Sequence, residues 1–232
     1  MDFHLYPLGE RGVVLEYGTS IHPSIQKKIQ LVSSFFEKNQ PAWMIEFIPA
    51  FTTITILYDP MRLTYNEACA VIKSCISTIV HSGPSEPRMI DIPVCYGGQM
   101  GPDIENVAKY NGLTTDEVIQ IHSSGDYLVY MIGFSPGFPY IGGLSEKIAT
   151  PRKESPRSKI PARSVGIAGL QTGIYPIETP GGWQLIGRTP TELFLPSRKE
   201  PSLLRAGDRI RFIPITIEEY KELENKQHDY DS

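Results

Sequence analysis

One stretch of the chain has the spacing of a catalytic motif, and its surroundings remove that chemistry. Gly133-Phe134-Ser135-Pro136-Gly137 fits the G-x-S-x-G pattern of a nucleophile elbow and follows a strand-like run. An elbow turns directly into a helix. Phe138-Pro139-Tyr140-Ile141-Gly142-Gly143 cannot form one, because proline lacks an amide donor and clashes with the preceding turn. The only histidine downstream is His228, in a polar tail, so no base stands ready for Ser135. The aromatic side chains of the same loop say more. Phe134, Phe138 and Tyr140 sit among glycines and prolines, a density that a surface loop carries where rings pack or bind. Packing between subdomains is the plain reading. The wall of a ligand or peptide groove is the functional one, with glycines letting a ligand come near the backbone.

A second dense stretch, 166–188, sets Gln171, Thr172, Glu178, Thr179, Gln184 and Arg188 between apolar, strand-like residues, as a barrel presents hydrogen-bonding groups at one end. Between them, residues 147–163 carry Lys147, Arg152, Lys153, Arg157, Lys159 and Arg163 against the single acid Glu154. That is either a solvated basic loop or an edge for anions. His122 ends a short helix, where a histidine is more often packed than catalytic. His4, His22 and His81 lack ligand-spaced neighbours, so no metal site is expected. No G-x-x-x-x-G-K-[ST] occurs, and no G-x-G-x-x-G opens a helix, so a nucleotide would need another arrangement.

The elements that position these residues follow from periodicity. Val13, Leu15 and Tyr17 alternate as a half-buried strand does, and Ile25, Ile29, Val32 and Phe36 form the apolar face of a helix over 23–38 opened by Pro23. Strands are expected at 43–48 and 52–58, then a helix from the Thr64-x-x-Glu67 capping box to about 81. Strand, helix, strand, strand, helix is most of a ferredoxin-like, two-layer α+β domain. His81-Ser82-Gly83-Pro84-Ser85-Glu86-Pro87 reads as a linker, which places an α+β domain at 1–84 and a second domain at 88–232. After a strand at 88–94 come short helices at 103–110 and 114–123. The runs 127–132, 165–168, 183–187, 192–195 and 209–213 are then strand-like between glycine and proline turns, the pattern of a mainly β barrel. A charged helix over 215–226 closes the chain.

Composition bounds the partners. The chain has 232 residues, 41% hydrophobic and 21% charged, which fits a folded protein. A net charge of −4 argues against general nucleic-acid binding. Cys69, Cys75 and Cys95 are odd in number and show no C-x-x-C spacing, which fits a reducing compartment. No run of eighteen apolar residues and no signal peptide is present, so a cytoplasmic protein away from the membrane is expected.

Four blocks carry a resemblance: Tyr96-Gly97-Gly98-x-x-Gly101-Pro102-Asp103, the 133–144 loop, Gln171-Thr172-Gly173-Ile174-Tyr175-Pro176, and Pro180-Gly181-Gly182-Trp183-Gln184-Leu185-Ile186-Gly187-Arg188-Thr189-Pro190. Together they resemble the allophanate hydrolase subunit 1, or carboxyltransferase, family. That family includes the B subunit of 5-oxoprolinase and a sporulation histidine kinase A inhibitor. Glu46-Phe47-Ile48-Pro49-Ala50-Phe51 and Tyr58-Asp59-Pro60 extend the likeness to nearly the whole chain. The resemblance implies a cyclophilin-like β-barrel after the α+β domain. It further implies two partners, the homologous C subunit of 5-oxoprolinase and its A subunit, with which the chain would open 5-oxoproline to glutamate at the expense of ATP. The alternatives are inhibition of a histidine kinase through its dimerisation and phosphotransfer helices, or a role related to urea carboxylation and allophanate hydrolysis.

On this reading Phe134, Ser135, Phe138 and Tyr140 wall one groove, and Gln171, Thr172, Gln184 and Arg188 position a lactam or phosphate in it. Arg152, Lys153 and Arg157 form its anion edge, joined by Arg163. The catalytic groups themselves are not identified. Many members read Pro-Ala-Gly-Ser-Val where this chain has Pro161-Ala162-Arg163-Ser164-Val165, so the local loop geometry is open there.

Overall fold

A computed structural model describes residues 2–79 and 88–230, which divide into two compact units, Met1–Glu86 and Pro87–Ser232. The expected linker, 81–87, lies outside the described residues.

The first unit is one antiparallel sheet with two helices on one face. Its elements are β1 (His4–Leu8), β2 (Gly12–Glu16), α1 (Pro23–Asn39), β3 (Met44–Pro49), β4 (Thr53–Tyr58) and α2 (Tyr65–Ile79), with the strands in the order β1-β2-β4-β3. Val13 and Leu15 of β2 pair with Ile56 and Ile54 of β4, so all four point the same way. They meet Ile29, Val32 and Phe36 of α1 and Ala68, Ile72 and Ile76 of α2, and the result is a single apolar layer. The Thr64–Glu67 capping box forms as its spacing predicts: the Thr64 amide donates to Glu67 Oε2 at 2.8 Å. Periodicity does not predict strand β1. Its outward residues His4, Tyr6 and Leu8 mix polar and apolar types, and Pro7 is tolerated because the strand lies at an edge.

The second unit is built on a closed seven-stranded barrel. Its elements are β5 (Met89–Tyr96), α3 (Ile104–Asn111), α4 (Thr115–Ser123), β6 (Tyr127–Ile132), β7 (Pro139–Gly142), β8 (Arg157–Ile160), β9 (Ser164–Ala168), β10 (Gln171–Ile174), β11 (Thr179–Gly181), β12 (Gln184–Arg188), β13 (Arg209–Pro214) and α5 (Ile217–Tyr230). Around the barrel the strands run β10-β7-β6-β13-β5-β12-β9, and β13 lies parallel to β5. Ile92, Val129, Val165, Ile167, Ile186 and Phe212 belong to the main core, together with Val107 of α3 and Val118 of α4. The alternate residues Ala168 and Leu185 belong to a separate cluster with Ile160 of β8, so this second cluster lies on the outside of the barrel, beside the β8-β11 ribbon. Segment 192–195, expected as a strand, makes only the isolated bridge Phe194–Ser202.

Candidate functional site

The outer cluster is aromatic, and glycines make room for it. Phe138 is 1% exposed, with its ring centroid 5.5 Å from Trp183, 5.1 Å from Tyr175, 5.0 Å from Tyr140 and 5.5 Å from Phe134. A Cβ on Gly173 of β10 would lie 2.9 Å from Trp183 and 3.0 Å from Phe138, so only glycine lets the rings settle on the strand. Phe138 is therefore packed core and not the wall of an open groove. The exposed ring is that of Phe134, 63% accessible, on a backbone with φ of +69°. Ser135 lies in a tight turn in which its carbonyl accepts from the Phe138 amide at 3.0 Å. Its hydroxyl is buried without a partner, and no helix follows it. The local fold is not that of a nucleophile elbow.

The basic segment is organised by a residue that sequence reasoning passed over. Asp103, 2% exposed, stands at the N-terminus of α3. It accepts from Arg157 Nη1 at 2.8 Å and Nη2 at 2.7 Å, from Lys153 Nζ at 3.0 Å, and from the Leu185 amide at 2.8 Å. Burial pushes its pKa upward, but the bonds from Arg157, Leu185 and Lys153 outweigh that push and hold it below the usual carboxylate value. Arg157 and Lys153 are thus engaged with an internal acid before any ligand arrives. The only available signal was positional: Asp103 closes the first glycine-rich block, ahead of a long basic stretch.

The rest of this segment is pinned to the barrel. The Gly169 amide donates to Thr150 O at 2.8 Å, the Lys153 amide to Gly182 O at 2.7 Å, and Gln184 Nε2 to Pro151 O at 3.0 Å. The Arg152 guanidinium lies 6.0 Å from the centroid of the Trp183 ring, within range of a cation–π contact. Between α3 and this segment is a cavity of about 380 Å³, lined by Asn106, Tyr110, Thr150, Arg152, Lys153 and Gln184 among others. Gln184 Oε1 is sealed from solvent, and so from this open space, without a hydrogen-bond partner.

The other expected site residues lie apart from this cavity. Thr172 is fully buried, donates to Gly166 O at 3.0 Å, and meets His122 Nε2 at 3.0 Å. Because the Thr172 hydrogen is spent, Nε2 of His122 must donate, and Nδ1 accepts from the Tyr96 hydroxyl at 2.8 Å. Burial drives His122 down to a pKa of about 3, so the ring is neutral and its two partners fix its orientation. Gln171 is half-buried at the β9–β10 turn, paired with Ala168. Arg188 stands four residues beyond Gln184 on β12, about 13 Å along the strand. Its Nε donates to Ala162 O at 2.9 Å. Arg163, on a backbone with φ of +69°, reaches Glu224 of α5, Glu192 and Pro190 O. The expected single groove therefore separates into an outer aromatic cluster beside the Gln184 cavity, an internal histidine network, and an arginine pair at the far end of β12. The physical reason is strand geometry: residues four apart on one strand belong to opposite ends of a barrel.

The lining of the cavity includes two basic residues, Arg152 and Lys153, and one acid, Glu154. Among the described residues, no group of three or more His, Cys, Asp or Glu is placed to hold a metal ion, and no helix is long and apolar enough to cross a membrane. Comparison with known proteins gives the family. The chain is 44% identical over 228 residues to the 5-oxoprolinase B subunit of Bacillus subtilis (strain 168), covering 94% of this chain and 95% of that protein. It is also 44% identical over 212 residues to the 5-oxoprolinase B subunit of Escherichia coli O157:H7, covering 90% and 94%. The crystal structure of TTHA0988 aligns with a TM-score of 0.79 and 33% identity over 88% of this chain, which spans 40% of the TTHA0988 chain. The family model for the carboxyltransferase domain, subdomain C and D, matches residues 3–204, and the chain belongs to that family.

Proposed function

We propose that this chain is the B subunit of an ATP-dependent 5-oxoprolinase, working with the homologous C subunit of that enzyme and its A subunit to open 5-oxoproline to glutamate. The observation that carries the reading is the 44% identity to the Bacillus subtilis protein, which runs almost end to end in both chains. The site chemistry agrees with it. A lactam carbonyl resists hydrolysis, and phosphorylation of its oxygen by ATP would create a leaving group, with negative charge developing beside the ring. Fixed cations and a buried amide serve such a step by orienting the substrate and excluding water. No nucleophile and base are paired in this chain's cavity, so its part is read as binding and positioning. In the same reading the barrel is cyclophilin-like, and the first unit is a ferredoxin-like sandwich whose edge strand comes from the N-terminus.

The test is reconstitution. The purified chain, with its C and A partners, ATP and 5-oxoproline, should release glutamate, and omitting the chain should abolish release. Turnover that is indifferent to this chain removes the reading. A second reading, inhibition of a histidine kinase, is favoured by one observation, the exposed Phe134 ring packed on Phe138 next to Tyr140, which would suit an anchor between helices. Co-purification separates the two, because a homologous partner chain supports the enzyme and a kinase the inhibitor.

A further inference from the structure

The arginine pair at the far end of β12 is closed by α5, and few contacts hold the closure. Among the described side chains of α5, Tyr220 is the only buried one, while Glu218, Glu219 and Glu222 face water. A helix of 14 residues without an apolar stripe is marginal by itself in water, so α5 depends on what it rests against. That support is largely polar. Glu224 Oε1 accepts from Arg163 Nη2, and from the Tyr220 hydroxyl at 3.3 Å. The Arg163 side chain is 11% exposed on a backbone with φ of +69°, a strained conformation that persists where the surroundings hold the residue in place.

Arg188 supplies a second guanidinium. Its Nε donates to Ala162 O at 2.9 Å, and it forms no ion pair among the described residues. Burial raises the pKa of the Tyr220 hydroxyl, and Arg163 and Arg188 pull against that rise, so both cations lie near the place that Tyr220 and Glu224 fill. Glu224 serves only one of them. A tetrahedral oxyanion has oxygens enough for two guanidinium forks. Glu192, with Oε1 3.5 Å from Arg163 Nη1, offsets part of the positive charge and keeps such binding modest.

We infer that α5 is a latch: its Glu224 carboxylate fills an oxyanion site formed by Arg163 and Arg188, and a free phosphate-class anion that takes both guanidiniums displaces Glu224 and releases the helix from the barrel. The hinge is at Ile215, whose amide donates to Val94 O at 3.0 Å, while the capping box of Thr216 and Glu219 moves with the helix. An anion that binds only the open state shifts α5 outward by its differential affinity, and opening α5 strengthens the anion by the same factor. None of this rests on the B-subunit reading, because it uses neither that enzyme's substrate nor its partners.

Hydrogen exchange of the full chain, read by mass spectrometry on a peptide covering 217–226, tests the latch. The probe is inorganic phosphate at about 20 mM, set against sodium chloride of equal ionic strength so that site binding is separated from screening. Phosphate should speed exchange in this peptide at least about threefold over chloride and leave β6 unchanged. Glu224→Gln keeps the shape and removes the competing charge. It should speed exchange in chloride at least about threefold and tighten phosphate, measured by calorimetry, by a similar factor. Arg188→Gln should cancel the phosphate response, and Arg188→Lys, which keeps the charge but loses the fork, should restore it only in part. Phosphate and chloride acting alike on the native chain, or a full response in Arg188→Gln, overturns the oxyanion site. Unchanged exchange in Glu224→Gln overturns the latch. If Arg188→Gln does not fold, Arg188→Lys decides, and a response equal to that of the native chain rejects the arginine pair.

Discussion

Replacing Asp103 by asparagine tests whether one buried carboxylate holds the basic segment in place. Asparagine keeps the shape and can still accept from the Leu185 amide, so what is lost is the charge that Arg157 and Lys153 face. Breaking a buried ion pair costs about 3–5 kcal/mol, because the remaining charge is left uncompensated. Arg157 and Lys153 each keep about a quarter of their side-chain surface in water. Screening therefore lowers the expected loss to about 2–3 kcal/mol. The assay is urea unfolding followed by tryptophan fluorescence in a Trp43→Phe background, which leaves Trp183, beside Arg152, as the sole reporter of the barrel unit. A double-mutant cycle with Arg157→Gln should show coupling of about 1–2 kcal/mol. The pH dependence has a definite sign. The folded carboxylate titrates below its unfolded value of about 3.9, so its contribution is complete above that value and disappears as pH falls through the lower folded one. The gap between native and Asp103→Asn proteins should be flat from about pH 5 to 8 and close below about pH 4. His122 titrates in both proteins and cancels. A loss below about 1 kcal/mol, or additive single variants, would refute the pinning role.

His122 should stay neutral across physiological pH. With its folded pKa at about 3 and an unfolded value of about 6.5, stability is present in full above 6.5 and falls by up to about 1.4 kcal/mol per pH unit as pH drops between those values. Ring-proton chemical shifts flat from pH 8 to 5 would bear this out, and a midpoint near 6.5 would refute it. At position 163 the left-handed backbone predicts that Arg163→Gly is more stable than Arg163→Ala by about 1 kcal/mol, since both lose Glu224 but only glycine relaxes the strain; equal melting curves would contradict that. Gly101→Ala should cost more than about 3 kcal/mol or prevent folding, because its Cβ would fall on the backbone carbonyl of Ile186, and a soluble variant with native stability would show that contact to be relieved.

Local structure was legible wherever one segment could satisfy itself. The helices α1, α2 and α4 follow from stripes such as Ile29, Val32 and Phe36 and from capping boxes at Thr64–Glu67 and Thr114–Glu117, because periodicity and caps act within a few residues. Strand β1 was not legible, since its outward face mixes His4, Tyr6 and Leu8 and its place depends on backbone pairing with β2. Segment 192–195 has strand-like composition yet finds only a single bridge, because the closed barrel leaves it no edge to join.

The sequence by itself determined the glycine and aromatic blocks, the barrel-like run of short strands and the family they resemble, because these depend on residue types in order along the chain. Tertiary structure alone decided which charges are spent and which remain. Asp103 meets Arg157 across 54 positions of sequence, Arg163 turns away to Glu224, and Gln184 and Arg188 part company along one strand. A charge in the sequence has no partner until the fold sets distances, and Coulomb and hydrogen-bond energies depend on those distances and on burial.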